Sequence, residues 1–302
     1  MRNLIGVAIA IFWIFMMSTL VWRHLLPPRV TGGQSLSAAK LTQDWKNTEE
    51  WMRISMGGRP AGVALASVRK IKNGYKAVSR AEFVLGGFFS RKASFQSVAM
   101  LDDKFHLNVF HVNASATPVS FDARGVVWEN DLLVSIALSP GMSKRGRYPL
   151  KQPIVLMDSL RPLTGQKIEL KKGNVYRFPA FDPVWSGMAG EAVIRVGDRA
   201  TITIYGQSHD ATRIETVMAG QQATAWLDDE QRTLRYEFMK NVRLDRITRA
   251  QGLQEEPSFA QEPDPPSFNA EEFARNKDLI DLSKESPMSL LSQMIFGSVK
   301  TP

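Results

Sequence analysis

The feature that most constrains the fold is a two-residue alternation of side chains that begins at Trp51. Met52, Ile54 and Met56 occupy every second position of the first run, and a second alternating run ends at Asn73-Gly74. Successive side chains of a β-strand point to opposite faces, so such runs are typical of strands with one buried face. Asn-Gly between two alternating runs is a strong hairpin signal. The sequence therefore predicts antiparallel strands on either side of Asn73-Gly74.

The same pattern continues through residues 90–138 and again through residues 192–248. Strand-like segments follow one another at roughly ten-residue spacing, which is typical of a sandwich or a barrel-like β domain. Turn-forming pairs such as Asp102-Asp103 and Gly197-Asp198 separate them. We predict a mainly β fold with an antiparallel curved sheet, as an open half-barrel or a sandwich. The pattern leaves open one continuous sheet or two β halves, with a subdivision near residues 140–185.

The N-terminus contains an apolar run from Leu4 to Trp22 without a charged residue. As a helix it is about 28 Å long, close to the thickness of a bilayer core. The run exceeds the apolar part of most signal peptides, and bulky residues follow it, although a cleaved signal peptide is the alternative. We predict a single-pass anchor in a bacterial inner membrane over residues 1–29, a stalk over 30–49 and a periplasmic β domain over 50–250.

The charge is divided unevenly along the chain. The net charge is +8, but residues 251–302 carry nine acidic and four basic side chains, and residues 1–250 therefore carry +13. A basic field attracts polyanions. On the outer side of a membrane these are anionic lipids or glycans, so no nucleic acid is expected. The acidic, Pro-rich tail predicts a disordered linker with short helices at Asn269–Leu282 and Pro287–Phe296, and it is a candidate for binding an envelope protein.

No group of side chains forms a convincing catalytic or metal site. The chain has no cysteine. His106 and His111 are five residues apart on a predicted strand and face opposite sides. Ser208-His209-Asp210 lies in a predicted polar hairpin loop, and a catalytic triad needs groups that converge from separate elements. Carboxylates at Asp102-Asp103 and Asp228-Asp229-Glu230 fit turn chemistry. We predict a protein that is not an enzyme and has no metal site and no cofactor.

Two groups of residues are candidates for contacting a ligand. A predicted basic loop over residues 139–150 contains three cations that suit anionic headgroups. Tryptophan side chains fill a core or line a concave sheet, where they suit acyl chains or sugars. The candidate ligand-binding residues are Lys144, Arg145, Arg147, Trp128, Trp185 and Trp226.

Short motifs are spread over roughly residues 50–250. They are Met56–Val63, Pro153–Leu160, Gly173 with Tyr176, Phe181–Pro183, Ala225–Asp228 and Arg246–Thr248. In this order they resemble an uncharacterised bacterial envelope domain of unknown function. The resemblance implies an extracytoplasmic, mostly antiparallel β fold that is distantly similar to the open half-barrels of lipoprotein carriers.

The resemblance supplies no catalytic residues. Some relatives precede a transglutaminase-like domain, but this chain has no cysteine and that activity does not carry over. The leading hypothesis is a membrane-anchored periplasmic module that binds a lipid, a lipoprotein or an envelope glycan. The alternative is a structural or assembly subunit of an envelope complex, which uses its sheet edge and acidic tail to bind protein partners.

Overall fold

The computed structural model describes most of the chain downstream of the stalk. The described residues are 33–35, 47–85, 91–116, 118–139, 141–156, 169–182, 188–218, 221–238, 241–275 and 279–281. The predicted anchor Leu4–Trp22, most of the stalk, Trp185 and the predicted helix Pro287–Phe296 lie outside them. Across the described ranges, every helix is too short or too polar to cross a bilayer.

Seventeen strands form one sheet in the described part of the chain, which confirms the mainly β fold. The strands are β1 Gln34–Ser35, β2 Thr48–Met56, β3 Arg59–Ile71, β4 Gly74–Leu85, β5 Arg91–Leu101, β6 Leu107–Ala116, β7 Val119–Trp128, β8 Asp131–Ser139, β9 Met142–Pro149, β10 Val155–Leu156, β11 Val175–Asp182, β12 Met188–Ile204, β13 Gln207–Met218, β14 Gln221–Leu227, β15 Thr233–Phe238, β16 Val242–Ile247 and β17 Ile280–Asp281.

Two antiparallel meanders make up this sheet. Strands β2 to β9 pair in chain order, as do β11 to β16. Strand β16 pairs antiparallel with β2, which joins the meanders into one sheet. Short parallel strands extend both edges, because β1 and β10 pair with β11 and β17 pairs with β9.

The predicted hairpin at Asn73-Gly74 is confirmed. Gly74 has a φ of +128°, and a Cβ atom there would lie 2.0 Å from the carbonyl oxygen of Leu101. Both observations require glycine, because a side chain would clash with backbone that has no room to move. The turn therefore fixes the register of β3 and β4, in which Ile71 pairs with Gly74.

The predicted turn at Gly197-Asp198 is wrong. Strand β12 continues through this position for seventeen residues. Val196 pairs with Ile214 and Arg199 pairs with Thr212, so both Gly197 and Asp198 lie opposite the single residue Arg213. This is a β-bulge, which bends a strand without ending it. Beyond the bulge, residues 199–210 form a hairpin that we call the arm.

The position of the arm also changes the prediction for Ser208-His209-Asp210. The hairpin turn lies at Tyr205-Gly206, where both residues have positive φ. Residues 208–210 are therefore part of β13, and His209 pairs with Ile202. The predicted polar loop is a strand because the turn falls two residues earlier.

The sheet has an inner face and an outer face and two ends. The inner face carries Ile54, Val68 and Phe110, and the outer face carries Trp51 and Val63. We call the upper end the one with the turns at residues 57–58, 118 and 141. The lower end has the turns at residues 72–73, 103–104 and 129–130.

The main core lies on the inner face towards the lower end. Large side chains from both meanders are fully buried there, and they include Phe105, Phe110, Phe181, Leu101, Leu107, Leu132, Leu156, Ile214 and Leu227. Phe181 of β11 packs against Phe110 of β6 at 5.4 Å and against Tyr148 of β9 at 6.0 Å between ring centroids. The sheet is therefore curved so that its two edges approach each other. We call this contact between β9 and β11 the seam.

The predicted tail contains ordered structure that the linker-like composition does not predict. Helix α1 spans Arg249–Glu255, a 3-10 helix spans Pro257–Ala260 and helix α2 spans Ala270–Ala274. Thr248 and Gln251 form a capping box at the start of α1. The acidic segment is ordered because it lies on the outer face of the chain's own sheet, where bases pair with it.

The predicted helix Asn269–Leu282 is correct at its start and wrong at its end. Asn269 accepts a hydrogen bond from the backbone amide of Glu272, as the capping pattern predicts. The helix ends at Ala274. Further along, Ile280–Asp281 pairs with β9 as strand β17, so contact with the sheet edge replaces the predicted helical continuation.

Candidate functional site

Apolar side chains on the inner face remain partly exposed towards the upper end. In the lower half of the same face the largest side chains are fully buried. The sheet register places the upper side chains on one continuous surface across both meanders. They are Met56, Phe83, Phe95, Phe121, Tyr236 and Phe238, and we call them the apolar rim.

Small residues stand beside the rings of the apolar rim. Phe95 lies between Ala81 and Ala114 in the sheet register, and Phe121 also pairs with Ala114. Phe83 pairs with Ala93 on the next strand. Phe83 and Phe95 therefore have small residues beside them in the register, whereas Phe121 also lies opposite Leu138, and Tyr236 and Phe238 contact each other at 6.3 Å between ring centroids. A curved sheet with this surface offers apolar contacts to a ligand that enters from the upper end.

Basic side chains lie on the inner face at the same end. Arg59 pairs with Met56 in the register, and Arg91 pairs with Leu85. Lys144 of β9 lies opposite Ile136. Arg59 and Arg91 are exposed, and Lys144 is half-buried. The apolar rim is thus bordered by cations, which suits a ligand with an apolar body and an anionic group.

The predicted basic loop over residues 139–150 is a strand. Met142–Pro149 forms β9 and pairs with β8. Gly146 and Tyr148 are buried on the inner face of this strand, and the basic composition of the segment hides that alternation. Neighbouring residues of a strand point to opposite faces, so the three cations of this segment do not share one face. Lys144 lies on the inner face, whereas Arg145 and Arg147 lie exposed on the outer face. Of these three cations, only Lys144 borders the apolar rim.

The predicted tryptophans do not converge on that surface. Trp128 ends β7 at the lower end and is 40% exposed. Trp226 lies on the outer face beneath the arm, where it packs against Ile202, Ala211 and Leu234. Its indole nitrogen is buried without a hydrogen-bond partner among the described atoms. The structure therefore brings neither tryptophan to Lys144.

The histidines of β5–β7 pair with different carboxylates. His106 Nδ1 lies 3.0 Å from Asp102, and His111 Nε2 lies 2.6 Å from Asp122. Burial tends to raise the pKa of Asp122, but hydrogen bonds from His111 and Arg124 outweigh it and hold the pKa below its usual value. Each carboxylate is thus already engaged by a neighbour. Within the described ranges, no group of three potential ligands is arranged to hold a metal ion.

A groove of about 450 Å³ lies at the lower end of the sheet. It is lined by the hairpin Lys70–Tyr75 and by Asp102-Asp103. Asp102 accepts hydrogen bonds from the backbone amides of Lys104 and His106, which confirms the predicted turn chemistry. The lysines and carboxylates around this groove balance each other, so it offers neither an apolar surface nor a single sign of charge.

Sequence reasoning missed the aromatic side chains of the apolar rim. The signal that could have found them is the strand register. Counting from the Asn73-Gly74 turn places Phe83 on the same face as Tyr75 and Ala77. The same counting places Phe95 beside Ala81. Residue type alone favours the tryptophans, whereas the surface is defined by the face of the sheet that each residue occupies.

Tyr148 at the seam makes the free energy of unfolding fall at alkaline pH. Burial raises the pKa of Tyr148 above its usual range, so the folded state favours the neutral phenol. Its contribution is complete below the unfolded pKa of about 10 and is lost as the pH rises above it. Between about pH 10 and 11, we expect the wild type to lose about 1 kcal/mol more unfolding free energy than Tyr148→Phe. Urea unfolding at both pH values measures this difference, and parallel losses would contradict it.

Comparison with known proteins shows a similarity to a solved structure. No protein-family model matches the chain, and no curated protein matches it in sequence. The solved structure is the beta-barrel-like protein of domain of unknown function DUF1849 from Brucella abortus. It is 12% identical, with a TM-score of 0.46, and the match covers 66% of this chain and 95% of that one.

Proposed function

We propose that the chain is a non-enzymatic binding module for an anionic amphiphile, whose acyl chain contacts the apolar rim. The observation that carries this proposal is the set of partly exposed rings on the inner face at the upper end. An exposed apolar surface inside a curved sheet is costly in water and gains stability when a ligand covers it. Lipids and the acyl groups of lipoproteins supply that chemistry. Envelope glycans fit less well, because the surface is mainly apolar.

The charges at the upper end support an anionic headgroup. Arg59, Arg91 and Lys144 border the apolar rim on the inner face, so an acyl chain beneath them would direct its headgroup towards cations. We propose no nucleic-acid partner, because a ladder of apolar rings inside a sheet offers no track for a phosphate backbone. The proposed activity requires no cofactor and no catalytic residue.

We further propose that the module is held at a bacterial inner membrane with its β domain in the periplasm. The support is the charge-free run Leu4–Trp22, whose length suits one membrane crossing. In that location the available anionic amphiphiles are envelope lipids. The alternative role as an assembly subunit needs a free acidic tail. The described tail contacts the chain's own sheet, which favours the binding module.

A substitution at the apolar rim tests the proposal. Phe83→Glu places a charge on the inner face, and we expect it to weaken binding of a pyrene-labelled long-chain fatty acid by about tenfold or more, because the carboxylate must be desolvated against the acyl chain. The matched control is Val84→Glu, the next residue of the same strand, which faces outward and is 43% exposed. The measurement is a fluorescence titration with both variants and the wild type.

Thermal unfolding of both variants accompanies the titration and shows that each is folded. Equal affinities for Phe83→Glu and the wild type would refute a ligand site at the apolar rim. A loss of affinity in Val84→Glu as large as in Phe83→Glu would also count against it, because that result points to the outer face. Competition by unlabelled fatty acid and by phospholipid distinguishes a free acid from a membrane lipid as the preferred source of the acyl chain.

A further inference from the structure

The C-terminal segment crosses the outer face of the sheet from its centre to its edge. We call residues 249–281, as far as they are described, the belt. It begins at α1 over β2 and β3, and it ends at β17 on β9. Five strands, β4 to β8, lie between these two contacts in the sheet order. The belt therefore connects the middle of the sheet to the strand that forms the seam.

An apolar anchor holds the first part of the belt. Gly252 of α1 lies directly on the indole of Trp51, because a Cβ atom at Gly252 would be 2.0 Å from Trp51 Cε3. Phe259 is 5% exposed and packs on the same indole at 6.0 Å between ring centroids. The guanidinium of Arg80 lies 4.4 Å from the Phe259 ring centroid. This anchor buries the outer face of β2 and β3.

Ion pairs hold the acidic residues of the same part. Glu255 pairs with Arg53, and Glu256 lies 3.8 Å from Lys92. Glu262 contacts two bases on adjacent strands, Arg69 at 3.2 Å and Lys76 at 3.0 Å. Arg80 also donates hydrogen bonds to the carbonyl oxygens of Ser258 and Gln261. Most of these groups are partly exposed, so their attraction weakens as salt is added.

The second part of the belt reaches the seam. Val98 and Leu133 are 2% exposed although they face outward, which fits a belt that passes over β5 to β8. Helix α2 contacts β8, and Arg145 of β9 lies 5.8 Å from the Phe273 ring. Ile280–Asp281 then pairs with Gly146 and Arg147 along the outer edge of β9. The belt thus supplies the edge partner of β9.

The seam itself has few backbone contacts. Among the described strands, β9 pairs only with β8 and β17, and no strand ladder joins it to β10 or β11. Tyr148 and Phe181 meet there through side chains. Lys144, which borders the apolar rim, is on the same strand. The β8 ladder holds one edge of β9, so the other edge depends on β17 of the belt and on the side-chain contact between Tyr148 and Phe181.

We propose that the belt is a clasp that holds β9 at the seam, and that its release lets β9 move outward so that an amphiphile enters or leaves sideways between β9 and the short strands β1 and β10, which pair with β11. The passage of an amphiphile rests on the proposed function, whereas the holding of β9 by the belt does not. The first part of the clasp is held by ion pairs and by the apolar contact with Trp51, and the described residues 255–275 connect it to helix α2 on β8.

The test uses the full chain with three neutralised belt carboxylates, Glu255→Gln, Glu256→Gln and Glu262→Gln. The matched control neutralises three paired carboxylates away from the belt, Glu191→Gln, Asp198→Asn and Asp229→Asn, which contact Arg177, Lys172 and Arg199. Both variants change the net charge equally. Amide hydrogen exchange of β9 in ligand-free protein should be about fivefold faster in the belt variant, and it should be unchanged in the control.

A second variant, Phe259→Ala, removes the apolar anchor without changing charge and should speed exchange in β9 in the same direction. Faster exchange confined to β2–β4, with β9 unchanged in both belt variants, would overturn the clasp. Release of the pyrene-labelled fatty acid from the belt variants should also be about fivefold faster at similar equilibrium affinity. If the wild type does not bind the fatty acid, the proposed function fails. Amide exchange in β9 still decides, independently, whether the belt is a clasp.

Discussion

Replacement of Phe181 by alanine is expected to lower the free energy of unfolding by about 3–5 kcal/mol. Phe181 is completely buried, and its ring contacts Phe110 and Tyr148. The loss includes the transfer free energy of the ring and the cavity that it leaves between two strands of different meanders. The cavity can collapse only if β9 or β11 shifts, and ladders to β8 and to β12 hold these two strands in place.

Urea unfolding measures this loss. Phe181→Leu keeps most of the volume and should cost clearly less than the alanine variant. The exposed control Val119→Ala, at 46% exposure, should change stability by about 0.5 kcal/mol or less. A loss below about 1 kcal/mol for Phe181→Ala would mean that the seam contributes little and that the ladders alone determine the curvature.

Local signals in the sequence predict most strands of the sheet. The turn at Asn73-Gly74 and the alternation around it define β3 and β4, because hairpin geometry is set by residues close in sequence. Local reasoning fails at Gly197-Asp198, which has turn-forming residues but forms a bulge. Only the partner strand distinguishes the two outcomes, since β13 stays paired on both sides of the bulge. That partner is not visible in the local pattern.

Strand β9 and the belt are hidden from sequence reasoning for a related reason. In β9, charged residues, Gly146 and Pro149 mask an alternation that becomes clear once Tyr148 is known to be buried. In the belt, Glu255 pairs with Arg53 across 202 residues of sequence. Complementary charges so far apart give no local signal, so composition alone predicts a disordered tail.

The sequence predicts cations beside an apolar concave surface, but it does not show which of them share a face. The register places Lys144 on the inner face beside the apolar rim. Arg145 and Arg147 point the other way because adjacent strand residues occupy opposite faces. The rings of Phe83 and Phe95 were missed, although the hairpin register alone assigns them to the inner face.

Replacement of Asp245 by alanine is expected to destabilise the fold by about 3–5 kcal/mol. Asp245 is 2% exposed and lies on the outer face of β16. It accepts a hydrogen bond from Arg235 Nε at 2.6 Å and lies 2.9 Å from Arg243 Nε. The side chain of Arg235 is 12% exposed. Removal of the carboxylate leaves that guanidinium buried without its charge partner.

The pair of Arg235 and Asp245 also connects the arm to the sheet. Arg235 also donates a hydrogen bond to the carbonyl oxygen of Thr203 at 2.8 Å, so Asp245→Ala should speed amide exchange in the arm more than in β6. The control Asp198→Ala breaks an exposed pair with Lys172 and should cost about 1 kcal/mol or less. The double variant Arg235→Met with Asp245→Leu should recover much of the lost stability, because an apolar pair needs no charge partner. If the double variant is as unstable as Asp245→Ala, the unpaired guanidinium is not the cause, and the loss comes from the packing of the arm.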